Sequence, residues 1–180
     1  MSHDRGCPCG RERYEYDDCD RADCYNKPSK QETVGISRSE PWDDRFLALA
    51  DHIANWSKDP STKVGAVIVR PNRTIASVGY NGFPRGVIDT LSRLNDRPTK
   101  YAMTVHAEAN AILSAGSSVA GCTLYVTPLH PCSNCAALII QSGIAKVIAR
   151  MPDNPAHWAE SFAAAKAMFH EAGIEVIIKS

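Results

Sequence analysis

Two short stretches hold the residue types that do chemistry: His106-Ala107-Glu108 and Pro131-Cys132-Ser133-Asn134-Cys135. An imidazole and two thiolates are zinc ligands. Zinc takes four ligands in a tetrahedron, so three from the protein leave one position for water, and an open position marks a catalytic site. Glu108, two residues beyond His106, supplies an ionisable carboxyl near enough to exchange protons with that water. The spacing predicts a catalytic zinc centre with His106, Cys132 and Cys135 as ligands and Glu108 as general acid and base. A closed zinc staple, or a pair of buried free thiols, would leave Glu108 without a role.

The elements that position these residues follow from propensity and punctuation. Small and aliphatic residues from Ala107 to Ala115 predict a compact helix begun by His106 and ended by Gly116. Pro131 precedes a second helix over 132–142, stopped by Gly143. Both ligand sets thus sit at helix N-termini, where the dipole favours a thiolate. Apolar β-branched runs predict strands over 64–69, 74–80, 122–127, 146–149 and 175–178. Gly65 inside the first strand points to a bulge or to close approach by a base or a neighbouring backbone. A first helix over 39–58 carries Trp42, Phe46, Leu49, Ala50, Ile53 and Trp56 on one face, with Ser39 as its cap. A last helix covers 158–172. Strand-helix alternation in the second half predicts parallel pairing there. Residues 87–105, with Arg93, Arg97 and Lys100, read as a solvated basic loop.

The composition narrows the function class. The formal charge is zero, with 20 basic and 20 acidic residues, so no overall field favours nucleic acid or an anionic membrane. No spanning segment or signal-peptide pattern is legible, which predicts a cytoplasmic protein with reduced thiols. The 180 residues fit one domain over 39–180 behind a polar extension over 1–38. That extension carries four of the seven cysteines, Cys7, Cys9, Cys19 and Cys24, with His3 nearby. They read either as a second, structural zinc site or as thiols scattered along a tail.

The region from about residue 40 onward resembles the cytidine and deoxycytidylate deaminase superfamily, and within it the deoxycytidylate (dCMP) deaminase branch. The resemblance rests on Ser57-Lys58-Asp59-Pro60, Lys63-Val64-Gly65-Ala66-Val67, Gly79-Tyr80-Asn81-Gly82-Phe83-Pro84-Arg85-Gly86, Lys100-Tyr101, His106-Ala107-Glu108-Ala109-Asn110-Ala111-Ile112 and Pro131-Cys132-Ser133-Asn134-Cys135-Ala136. It implies an α/β fold, a three-layer α/β/α sandwich around a mixed five-stranded sheet. It implies zinc-dependent hydrolysis of dCMP to dUMP and ammonia, feeding thymidylate synthesis. Asn81 would hold sugar or base, the Ala107 backbone would read the pyrimidine, and Ala66 would lie beside the substrate. Lys63, Arg85, Lys100, Ser133 and Asn134 are the phosphate candidates, with Arg85 favoured for its bidentate fork. The resemblance further implies a homo-oligomer, a hexamer, activated by dCTP with Mg2+ and inhibited by dTTP. Tyr80, Gly82 and Asp89 would lie at the effector site. The chain departs from the branch in carrying a single acid, Asp89, just after the glycine-rich loop. It also has Met151-Pro152-Asp153-Asn154-Pro155 where an aromatic usually reaches the base, leaving His157 or Trp158 as the substitute. The competing readings are a sibling deaminase acting on a modified deoxycytidine nucleotide, a triphosphate, a nucleoside, a free base or RNA, and a non-catalytic zinc module.

Overall fold

The computed structural model describes residues 40–152 and 156–179. Cys7, Cys9, Cys19 and Cys24 lie outside the described residues, as does Ser39. The described chain opens with helix α1 (Glu40–Ala54), then strands β1 (Gly65–Val69) and β2 (Ile75–Tyr80). Two short helices follow, α2 (Leu91–Asn95) and α3 (Arg97–Met103), then α4 (Ala107–Ser114) and β3 (Thr123–Thr127). The chain closes with α5 (Ser133–Gln141), β4 (Lys146–Arg150), a 3-10 turn (Ala156–Trp158), α6 (Ala159–Glu171) and β5 (Glu175–Lys179).

The five strands form one mixed sheet in the order β2-β1-β3-β4-β5. β1 pairs antiparallel with β2 and with β3, Gly65 lying opposite both Tyr80 and Thr127. β3, β4 and β5 are mutually parallel, as the alternation of strand and helix predicts. Side chains leave a strand on alternate faces, and the sheet uses both. Ala66, Ile68, Leu124, Val126, Val147 and Ala149 meet α4, α5 and α6 on one face. Val67, Val69, Tyr125 and Ile148 meet Phe46, Leu47, Ala50 and Ile53 of α1 on the other. Each of the larger side chains so buried contributes roughly 1.5–3 kcal/mol. The result is the expected α/β/α sandwich, in which central strands buried on both faces read as unbroken apolar runs.

The apolar face of α1 differs in detail from the sequence reading. Leu47 is buried, whereas Trp56 lies beyond the helix end and is 51% exposed, edge-on to Tyr80. The chain leaves the helical path at Ala54, so the periodicity no longer governs Trp56. Gly65 resolves as close backbone approach. A Cβ there would stand 2.0 Å from the Ala50 carbonyl oxygen and 2.6 Å from the Ala54 amide, so α1 lies directly on β1. The bulge in the β1–β2 pairing falls at Ile68/Val69 instead. Gly79 does the same on the opposite face, where a Cβ would meet the Ala107 carbonyl at 2.3 Å and the Ala111 amide at 2.4 Å. Through this contact β2 sets the height of α4, whose start carries His106 and Glu108. None of the described helices is long and apolar enough to cross a membrane.

Candidate active site

His106 is the N-cap of α4 and Cys132 the N-cap of α5, each in extended backbone geometry. Glu108 and Cys135 follow within the first turns of those helices. The helix N-termini therefore converge. His106 Nδ1 lies 3.4 Å from both the Cys132 and Cys135 sulfurs, and all three donor atoms fall within 4.8 Å of one another. In a tetrahedral zinc site with ordinary bond lengths, nitrogen and sulfur ligands stand about 3.6 Å apart. One imidazole and two thiols at this spacing fit zinc, and these three residues would hold it.

The Cys135 side chain and then His106 hold the Cys132 thiol below its ordinary value, against the effect of burial. The neighbouring Cys132 and burial push the Cys135 thiol up. The contact to Cys132 likewise raises the His106 imidazole, against the effect of burial. Metal binding requires both thiols as thiolates and so releases protons. Glu108 is only 4% exposed, and burial raises its carboxyl despite its own backbone amide and the nearby His106. A carboxyl raised by desolvation is suited to taking up and giving back protons near neutral pH.

His106, Glu108 and Cys132 of this cluster face a cavity of about 940 Å³, and Cys135 is outside its lining. His106, Ala107, Glu108 and Cys132 are in its lining, with Val64 and Asn81 on one side. Leu129, His130, Trp158 and Phe162 form an apolar and aromatic wall, in which Trp158 stacks on Phe162 at 6.4 Å. As the first residue of α4, Ala107 has an amide that the helix leaves unpaired.

A sequence model of the cytidine and deoxycytidylate deaminase zinc-binding region matches residues 40–151. The chain belongs to the cytidine and deoxycytidylate deaminase family. It is 41% identical over 139 residues to human deoxycytidylate deaminase, covering 74% of this chain and 76% of that protein. It is 48% identical over 137 residues to an uncharacterised deaminase from Aliivibrio fischeri, covering 75% of this chain and 91% of the other. The fold is similar to the crystal structure of dCMP deaminase from cyanophage S-TIM5 in complex with dCMP and dUMP. That match has a TM-score of 0.63 at 27% identity and covers 80% of this chain and all of that one.

The structure places the other expected site residues of this deaminase unevenly. Asn81 is buried at the cavity edge. Its side-chain oxygen accepts from the Val64 amide and its side-chain nitrogen donates to the Thr62 carbonyl, leaving one amide hydrogen unused. Ala66 is fully buried in β1 and outside the lining. Lys63, Arg85, Ser133 and Asn134 are likewise outside the lining. Arg85 is exposed and donates weakly to Ser114 Oγ at 3.4 Å, and the Ser133 amide and hydroxyl both bond to Ser161 Oγ. Tyr80, Gly82 and Asp89 do come together, around a smaller cleft of about 130 Å³ that Lys58 and Asp89 span with a 2.8 Å ion pair.

Residues 87–105 are a correction. They are not a solvated loop but contain α2 and α3, which form part of the cavity wall. Thr90 caps α2 by accepting from the Arg93 amide, and Asp96 caps α3 by accepting from the Thr99 amide. Lys100 is buried, its ammonium 3.0 Å from Asp59 Oδ1 and 3.0 Å from Ser61 Oγ. Burial works to raise the Asp59 carboxyl, but the Ser61 amide, Lys100 and the Thr62 amide outweigh it and hold it below its ordinary value. The caps were the available signal: Thr90, and Asp96 followed by Pro98 in the first turn. Helices of five and seven residues are too short to show an apolar period.

Proposed function

We propose that this deaminase hydrolyses dCMP to dUMP and ammonia in a zinc-dependent reaction. One observation carries the reading: a buried carboxyl, Glu108, beside a His106–Cys132–Cys135 donor set at the floor of a cavity large enough for a nucleotide. The human and cyanophage relatives, both named as deaminases of deoxycytidylate, support the substrate. Bound zinc supplies a Lewis acid that lowers the pKa of a coordinated water from about 15.7 toward about 7. Glu108 accepts the first proton of the attacking water and delivers it to N3 of the cytosine ring. It then passes the second to the amine leaving C4, and ends the cycle as it began. The Ala107 amide and the remaining Asn81 amide hydrogen hold the pyrimidine and sugar, while Trp158 and Phe162 keep bulk water from the ring. Regulation by dCTP and dTTP at the Tyr80, Gly82 and Asp89 cleft, Mg2+ carried with dCTP, hexameric assembly, a second zinc on the N-terminal cysteines and a cytoplasmic location belong to the same reading. Ammonia release by the zinc-loaded chain over dCMP, deoxycytidine, cytosine and dCTP tests it. The highest kcat/KM belongs to dCMP, and a higher value for any of the others would replace the substrate.

A further inference from the structure

The cavity has one place where a phosphate would meet positive charge not already neutralised. Two acidic side chains line it, Asp59 and Glu108, and Glu108 is occupied with the chemistry. Lys100 is cationic, but its charge is matched by Asp59 at 3.0 Å in a pair less than a tenth exposed. The Ser61 and Thr62 amides, which could cradle an anion, already donate to the Asp59 carboxylate at 2.7 and 3.1 Å. Among the described residues this leaves Arg97. Among the described residues its guanidinium has no carboxylate within ion-pair distance, and its contacts are the Tyr101 ring at 5.1 Å and His157 Nε2 at 2.8 Å.

The contact with His157 spans the mouth, joining α3 to the 3-10 turn across 60 residues of sequence. A guanidinium only donates, so His157 must accept through Nε2 and carry its proton on Nδ1. The imidazole in turn lies edge-on to Trp158 at 5.1 Å, and Trp158 packs against Tyr101 at 6.3 Å. Arg97 is therefore held over the cavity by a neutral acceptor. A phosphate offers two charged oxygens in the plane that the guanidinium fork fits, a stronger partner than one imidazole nitrogen.

We propose that Arg97 binds the 5′-phosphate of the substrate and that His157 is a positioning residue, holding the guanidinium in place until the phosphate displaces it. The proposal deepens the dCMP reading and rests on it. It accounts for discrimination between nucleotide and nucleoside without Arg85 or Lys63.

Two measurements on the full-length, zinc-loaded protein test it. The first is the ratio of kcat/KM for dCMP to that for deoxycytidine. In Arg97→Gln this ratio falls by about 10- to 100-fold, the loss of a charge-assisted bidentate contact. The loss sits in KM, and Arg97→Lys recovers part of it. His157→Ala lowers the same ratio by a smaller factor. The second is calorimetric binding of dUMP against deoxyuridine, which reads the phosphate contribution without turnover. Arg97→Gln weakens dUMP by a similar factor and removes the advantage of dUMP over deoxyuridine. Equal losses on nucleotide and nucleoside in Arg97→Gln, with a lowered melting temperature, would make Arg97 a packing residue and overturn the proposal. Unchanged dCMP kinetics and dUMP affinity would place the phosphate elsewhere, leaving dCMP deamination standing. A wild-type protein that turns over deoxycytidine but not dCMP removes both readings together.

Discussion

At the floor of the cavity the reacting groups are near neighbours in sequence: His106 and Glu108 share one helix start, Cys132 and Cys135 another. At its mouth the pairs span the chain, Lys100 with Asp59 across 41 residues and Arg97 with His157 across 60. The floor needs only two helix N-termini and a sheet to aim them. The mouth needs the whole fold, since each of its contacts joins elements with no local reason to meet. A fixed floor with a mouth assembled at a distance gives constant chemistry under a specificity that substitution can alter.

Substitutions at the floor should cost the chemistry most. Cys135→Ser takes zinc and activity together, and deaminase assay with metal analysis should show background ammonia release and substoichiometric zinc; chelation of the wild type followed by added zinc should lose and recover activity. Glu108→Gln retains zinc but loses about 10²–10⁴-fold or more in kcat, because acid-base transfer goes while the ligands stay. A zinc-replete Glu108→Gln with ordinary turnover would remove the proton-transfer role.

At the mouth, Lys100→Met leaves the Asp59 carboxylate buried and without its cation, at a cost of about 3–5 kcal/mol in urea unfolding. Its stability should also sag less steeply in acid. The folded Asp59 carboxyl lies below its ordinary value, so its stabilisation is present above about pH 4 and is lost as pH falls through the folded value. Gly79→Ala pushes α4 off β2 and costs about 1–3 kcal/mol, with kcat falling as Glu108 shifts. The smallest effect belongs to Arg85→Ala, outside the cavity lining, where the KM for dCMP should change by no more than about twofold. A large change there would return the phosphate to the glycine-rich loop.

Some of this was open to reading before any coordinates. His106, Glu108, Cys132 and Cys135 carry their geometry with them, because helix caps and first turns are set by residues within a turn of each other. The strands were legible because their apolar runs are buried on both faces. Lys100 and Arg97 were not. Neither has a local signal that distinguishes a solvated cation from a buried one or from one held over a cavity. Short helices hide their period, and only the caps at Thr90 and Asp96 betray them.

The amino-acid sequence by itself determined the His106–Cys132–Cys135 donor set, the carboxyl of Glu108 beside it and the layering of helices on both faces of the sheet, since these follow from residue type, short spacing and apolar period. Only the tertiary structure decided which cation faces the cavity unneutralised, that Gly65 and Gly79 are sites of helix contact, and that Asn81 ties two loops together. Those facts depend on distances between segments far apart in the chain, which burial and pairing settle and local propensity does not encode.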